Sequence, residues 1–275
     1  MMHIVPIEIA FTKMHGLGND FVIIDEACLP TQCDLKLLAL KIANRHLGIG
    51  CDQFIVYRKY QNYYGMQIYN QDGSIAKACG NAVRCLAKLL YTNLAESSIN
   101  INILGRSITA QILAEDKILV NMGTVSFKEP WMPTNDALWQ IAERYMLDPK
   151  EMICADIGNP HLVIFSRLSS EDQAIVGKML QEHELFSDGV NVDFACIKDN
   201  NIYLSVWERG AGFTTACGSG ACVTFASAIK LGFMHANTDA QVIFRHGALT
   251  MSQMNKDIIM TGPATLVAEG KFYYL

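Results

Sequence analysis

The sequence predicts an α+β (mixed α/β) protein made of two similar halves, and three observations carry that expectation. Short strand-like runs alternate with helical ones along its 275 residues. The stretch ACGNAVRC at 78–85 reappears as ACGSGAC at 216–222, each opening an apolar, helix-like run. Three further pairs recur in the same order: GNDFVII (18–24) with GNPHLVI (158–164), CDQFIV (51–56) loosely with GVNVDF (189–194), and a strand ending at Asn70 with one ending at Glu208. The offsets all lie between 138 and 140 positions. One such pair is weak, but four at near-constant spacing point to an ancient duplication.

Taken in order, FVIID (21–25), QFIVY (53–57) and GMQIYN (65–70) read as strands. Between the first two, DLKLLALKIANRHLG places Leu35, Leu38 and Ile42 on one helical face, with Gly48 as the stop. After the first ACG helix, SININ, SITAQILA and KILVNMG alternate apolar and polar residues between 98 and 123 and predict antiparallel pairing. SFKEPWMPTND (126–136), with two prolines, reads as a linker. Two helices follow, DALWQIAERYML and SSEDQAIVGKMLQEHELF, then strands HLVIF, VNVDFACI and NIYLSVWE, the second ACG helix, and terminal strands ending in KFYYL.

Composition narrows the function. The chain is 51% hydrophobic and 18% charged, enough for a large core. A net charge of −5 and a pI near 5.8 argue against nucleic-acid binding. No apolar run reaches the ~18 residues of a membrane span, and MMHIVPIEIAF lacks the basic start of a signal peptide, so a cytoplasmic protein without membrane contact is expected. Nine scattered cysteines do not make a disulfide framework and suit a reducing compartment. Cys28, Cys33, Cys154 and Cys196 have no catalytic context, and Cys85 and Cys222 are expected to face the core.

Cys79 and Cys217 stand apart because each precedes a glycine at a helix mouth. A helix N-terminus carries about half a positive charge and unpaired N–H groups, which favour a thiolate and also cradle a carboxylate. Two such helices facing one carboxylate place a sulfur on each side of the adjacent carbon. One thiolate then removes a proton while the opposite thiol delivers one, the acid–base pair that a racemase or epimerase requires. No GxxxxGK[ST] or strand-borne GxGxxG is present, and no CxxC or HxxxH spacing suggests redox or metal chemistry.

The stretches KMHGLGNDFVIID, GIGCDQ, YNQDGS, ACGNAVRC, GNPHLV, DGVNVDF and WERGAGFTTACGSGAC together make the chain resemble the diaminopimelate epimerase family over nearly its full length. The resemblance implies two pseudo-symmetric halves, each a barrel-like, mostly antiparallel sheet around a central helix, with the active site in the cleft between them. The expected division is 1–123, joined by a returning tail 264–275, and 124–263. It implies interconversion of LL- and meso-diaminopimelate without cofactor or metal, in lysine and peptidoglycan precursor synthesis, by a homodimer. Residue by residue, Cys79 and Cys217 become the acid–base pair, with Cys79 the donor and Cys217 the acceptor from LL to meso. Gly80, Asn81, Gly218 and Ser219 would hold the reacting carboxylate. Asn19, Asn70, Asn159, Asn191 and Arg209 would fix the distal end, Gln53 would contact substrate, and Glu208 and His161 would tune the thiols and bind the α-amino group. An arginine fork pairs with a carboxylate through two parallel bonds, which suits that role. Ala82 stands where the family has glycine and Ser219 where threonine is common; neither removes a catalytic group.

Three alternatives remain at this point. A protein of the phenazine-biosynthesis isomerase-like group would share the fold but lack the paired cysteines. Another cofactor-independent racemase of the same fold, of the proline racemase type, would have no need of Arg209 and the asparagines. A thiol redox switch would use Cys79 and Cys217 as a regulatory disulfide.

Overall fold

The computed structural model describes residues 7–77 and 79–274. The chain divides into two compact units, Met1–Val120 with Gly262–Leu275, and Asn121–Thr261.

The first unit opens with strands β1 (Ile7–Gly16) and β2 (Asn19–Asp25), helix α1 (Leu35–Ala43), and strands β3 (Gln53–Lys59) and β4 (Tyr64–Asn70). Helix α2 (Gly80–Leu94) follows, then β5 (Ser98–Ile103), β6 (Arg106–Ala114) and β7 (Lys117–Thr124); β16 (Thr265–Tyr274) returns from the chain end to pair with β1. The strand order is β16-β1-β2-β3-β4-β5-β6-β7. The continuous apolar run FVII in β2 is buried throughout, as expected where β2 pairs in parallel with β3. Asp34 caps α1 by accepting from the Leu37 N–H at 3.0 Å. The helix ends at Ala43, short of the expected Gly48, because Asn44 Oδ1 accepts from the N–H groups of His46 and Leu47 and turns the chain there.

The second unit contains α3 (Asn135–Arg144), β8 (Met152–Asp156), β9 (Pro160–Phe165), α4 (Ser170–Gln181), β10 (Asn191–Lys198), β11 (Asn201–Glu208) and the two-residue β12 (Gly212–Phe213). Helix α5 (Gly218–Lys230), β13 (Ala240–Phe244), β14 (Gly247–Met254) and β15 (Asp257–Gly262) complete it, in the order β15-β14-β13-β11-β10-β9-β8. The 126–136 segment is not a free linker. Ser126 bridges Asp156, the Trp131 indole N–H donates to Asp156 at 2.9 Å, and Trp131 and Met132 pack on the core under α3 and α4.

The two units repeat one internal plan. In the first, β2 pairs parallel with β3, β3 antiparallel with β4, and β4 parallel with β5 across α2. In the second, β9 pairs parallel with β10, β10 antiparallel with β11, and β11 parallel with β13 across α5. Helix α2 contacts β1, β2, β5, β6 and β16, so strands surround it, and Gly80–Ala87 are buried on every face. Helix α5 contacts β8, β9, β10, β11, β13 and β14 in the same manner. Cys85 and Cys222 are fully buried in these helices. Among the described residues no helix is long and apolar enough to cross a membrane.

Candidate active site

Both recurrent cysteines occupy the N-cap position of their helix, Cys79 on α2 and Cys217 on α5. This places Gly80 and Asn81, and Gly218 and Ser219, in the first helical turns, where backbone N–H groups lack intrahelical partners.

In the first unit the half-buried Cys79 thiol faces Asn19 Oδ1 at 3.7 Å. The amide orientations follow from Arg84, which only donates. Its guanidinium donates to Asn81 Oδ1 at 2.9 Å; the Asn81 amide therefore presents Nδ2 to Asn19 Oδ1 at 3.1 Å, and Asn19 presents Nδ2 to Asp52 at 3.0 Å. Cys79 thus meets an acceptor for its S–H. Gln53 donates to Asn70 Oδ1 at 3.0 Å, and Asn70 donates to Ser74. The buried Gln53 Oε1 has no partner among the described residues.

Behind Asn19 lies a charged network. Arg45 grips Asp20 through two bonds at 2.8 and 3.1 Å and reaches Asp52 at 2.7 Å; Lys13 donates to Asp20 and to the Gly50 carbonyl. Burial pushes the Asp20 carboxyl up, but Arg45 and Lys13 outweigh it and hold it well below the ordinary carboxylate range. A carboxylate depressed on folding contributes stability above its unfolded pKa, near ~3.9, and that contribution fades as pH falls toward the folded value. Acid titration of the wild type should therefore show stability falling below about pH 4, and Asp20→Asn should flatten that limb. Matched urea midpoints at pH 7 and 3.5 in both proteins are the check.

In the second unit Cys217 is buried. Its sulfur accepts from the Gly220 N–H at 3.4 Å and lies 3.3 Å from Ser219 Oγ. His161 Nε2 meets Ser219 Oγ at 3.0 Å, and Asn159 Nδ2 donates to the same hydroxyl at 3.2 Å. His161 Nδ1 is 2.6 Å from the Asp193 carboxylate, and both residues are fully buried. Asn191 accepts the Arg209 N–H at 2.9 Å and donates to the Pro160 carbonyl at 3.0 Å, so the amide that faces His161 Nε2 at 3.4 Å is a donor. Arg209 is exposed, and its guanidinium donates to the Asp188 carbonyl at 2.6 Å. Glu208 makes no ion pair with it; the Thr214 hydroxyl donates to Glu208 instead.

The helix mouth alone favours a Cys217 thiolate, but its surroundings oppose it. Burial first, then the charges of Glu208 and Asp193, push the thiol well above its ordinary range, against the favourable bonds of Ser219 and Gly220. Burial also raises the Glu208 carboxyl, against the Thr214 bond. Burial pushes Cys51 and Cys154 up to about 12, which leaves those thiols inert.

The sequence-nominated residues therefore form two clusters. Cys79, Gly80, Asn81, Asn19, Gln53 and Asn70 belong to the first unit, and Cys217, Gly218, Ser219, Asn159, His161, Asn191, Glu208 and Arg209 to the second. Asp52, Arg84, Asp193 and Thr214 join them without having been nominated.

The family model described as diaminopimelate epimerase matches residues 11–128 and 153–267. The chain belongs to the diaminopimelate epimerase family. It is 58% identical over 267 residues to the diaminopimelate epimerase of Rickettsia akari (strain Hartford), spanning 97% of this chain and 98% of that one. To that of Rickettsia felis it is 57% identical over 266 residues, with the same shares covered. Among solved structures, a phenazine biosynthesis protein of the PhzF family from Enterococcus faecalis superposes with a TM-score of 0.69 at 13% identity, over 98% of this chain and 100% of that one. A hydroxyproline epimerase from Agrobacterium vitis, with bound trans-4-hydroxy-L-proline, superposes with a TM-score of 0.68 at 10% identity, over 96% and 91%. These two establish the shared α+β fold, and the epimerase family makes the chain an isomerase.

Proposed function

We propose that this epimerase interconverts LL- and meso-diaminopimelate with Cys79 and Cys217 as its acid and base, and without a cofactor. The observation that carries the reading is the placement of both recurrent cysteines at the N-caps of buried helices, each beside its own polar cluster. From LL to meso, Cys217 takes the α-proton and Cys79 returns one to the opposite face; in reverse the roles exchange. The N–H groups of Gly80, Asn81, Gly218 and Ser219 hold the reacting carboxylate, and the helix dipoles stabilise the charge that grows there as the carbon ionises. Glu208 binds the α-amino group, and Glu208 and His161 tune Cys217. At the distal end, Asn19, Asn70, Asn159, Asn191 and Arg209 read the second ammonium and carboxylate. The unpartnered Gln53 Oε1 suits an ammonium, and the exposed Arg209 fork suits a carboxylate.

The same reading makes the protein a cytoplasmic homodimer that supplies lysine and peptidoglycan precursors. It also treats 1–123 with the tail 264–275, and 124–263, as two halves of a duplicated ancestor. The test of the reaction is incubation of the reduced protein with LL-diaminopimelate in deuterated water. Meso product carrying α-deuterium supports it; no exchange at the α-carbon rejects this substrate.

A further inference from the structure

The duplication makes the two cysteine environments comparable position by position, and they differ at four linked sites. At the strand position of His161 the first unit has Phe21, and at that of Asp193 it has Ile55; register confirms the pairing, since Phe21 lies opposite Gln53 as His161 lies opposite Asn191. At the helix positions, Asn81 corresponds to Ser219 and Ala82 to Gly220. The first unit thus packs two fully buried apolar side chains where the second buries an imidazole against a carboxylate.

The second arrangement carries unfavourable features that packing alone does not explain. Asp193 is fully buried and its Oδ1 has no hydrogen-bond partner among the described residues. An unpaired buried carboxylate oxygen is costly. That oxygen presses on the Gly220 α-carbon so closely that a Cβ there would lie 2.5 Å away, so the helix carries glycine at this point. Alternation along β10 turns Asn191 and Asp193 to one face and Val192 and Phe194 to the core beneath α4.

One assignment of the hydrogen-bond roles links Cys217 to Asp193. A carboxylate only accepts, so His161 carries its proton on Nδ1. The Asn191 amide facing Nε2 is a fixed donor, so Nε2 is an acceptor, and Ser219 donates its hydroxyl proton to it. Ser219 Oγ then has two lone pairs left, one for the Asn159 amide and one for the Cys217 S–H.

We propose that Asp193 is a positioning residue which, through His161 and Ser219, gives the buried Cys217 thiol a route for its proton and makes Cys217 the resting base. The inference rests on the two-cysteine reading above. The step balances internally: the S–H proton passes to Ser219 Oγ as the Ser219 proton passes to His161 Nε2. It leaves a thiolate, an unchanged hydroxyl, and an imidazolium held against the Asp193 carboxylate. The cation so formed offsets the repulsion that Glu208 and Asp193 exert on a negative sulfur. The Gly220 N–H at the helix mouth receives the new charge. Cys79 faces Asn19 Oδ1, and the first unit has Phe21 and Ile55 where the second has the imidazole and the carboxylate, so Cys79 serves as the acid. Glu208 also borders the Cys217 thiol and is the competing proton acceptor.

The experiment measures turnover together with the iodoacetamide alkylation rates of the Cys79 and Cys217 peptides, by mass spectrometry, in the full-length protein. Asp193→Asn should lower kcat about 100-fold with KM changed less than about threefold. It should slow alkylation of Cys217 at least about tenfold relative to Cys79, in keeping with loss of thiolate. Ser219→Ala, at a half-buried position that the fold tolerates more readily, should reproduce the Cys217-selective loss, and Ser219→Thr should restore it. Glu208→Gln as a control separates the two routes. Cys217 alkylation and kcat unchanged in both Asp193→Asn and Ser219→Ala, equal slowing at both cysteines, or selective loss in Glu208→Gln alone would overturn the proposal. Failure of the wild type to exchange α-deuterium rejects the diaminopimelate reaction instead, and the alkylation comparison still decides the route.

Discussion

Replacing either Cys79 or Cys217 with alanine is expected to lower turnover in both directions by at least about 10³-fold, the scale of a missing general acid or base. The two variants should be about equally defective although their cysteines differ in burial, because each direction of the reaction uses one sulfur as acid and the other as base. Stability should respond unequally. Cys217 caps α5 through the Gly220 N–H, whereas Cys79 makes no side-chain cap bond to α2. Loss of a cap typically costs about 1 kcal/mol. Cys217→Ala should therefore melt slightly below Cys79→Ala, while Cys79→Ala stays within about 1 °C of wild type. Meso product measured from LL substrate, and the reverse, together with thermal melts, is the check. A variant retaining wild-type turnover in one direction would reject the paired roles.

Much of this was legible in the sequence for physical reasons. The apolar runs FVII and LVIF announce strands buried on both faces, and the paired ACG motifs announce helix mouths because small residues and an N-cap residue have few other uses there. What the sequence hid are interactions that depend on three-dimensional register. Asp193 is a charge within the strand VNVDFACI and Arg84 a charge within the helical run NAVRCLAKLL, and both are fully buried. A charge inside an apolar element was the available signal, but its partners lie on other elements: His161 on β9 for Asp193, and Asn81 with the Pro263 carbonyl for Arg84. The proline-containing segment 126–136 looked like a linker because its anchor, Asp156, is distant in sequence. The local rule for a helix-mouth thiol is incomplete for Cys217, since Asp193 on β10 and Glu208 on β11 oppose its ionisation.

Arg84→Met should produce the largest loss of stability among conservative changes in the first unit. Arg84 is fully buried on α2, and methionine approximates its volume while removing every donor. Two acceptors lose their partner: the Pro263 carbonyl, bonded to Nε at 3.1 Å, and Asn81 Oδ1, bonded at 2.9 Å. Each buried acceptor left unsatisfied costs about 1–3 kcal/mol, so a loss of about 2–6 kcal/mol is expected. At about 2–4 °C per kcal/mol for a chain of this size, the melting temperature should fall by about 4–24 °C. Activity should fall as well, through geometry. Arg84 forces the Asn81 amide to present Nδ2 to Asn19, and Asn19 in turn presents Oδ1 to Cys79. With Arg84 gone, the Asn81 amide loses the donor that fixes its orientation, and the acceptor facing Cys79 is held less firmly. The expected signature is a kcat lowered about tenfold, about 1.4 kcal/mol in the barrier, measured below the melting transition. Alkylation of Cys79 should speed up while that of Cys217 stays unchanged. Lost stability with wild-type kcat and unaltered Cys79 reactivity would show that Arg84 serves the fold alone, and the amide chain from Arg84 to Cys79 would then have no part in setting the acid.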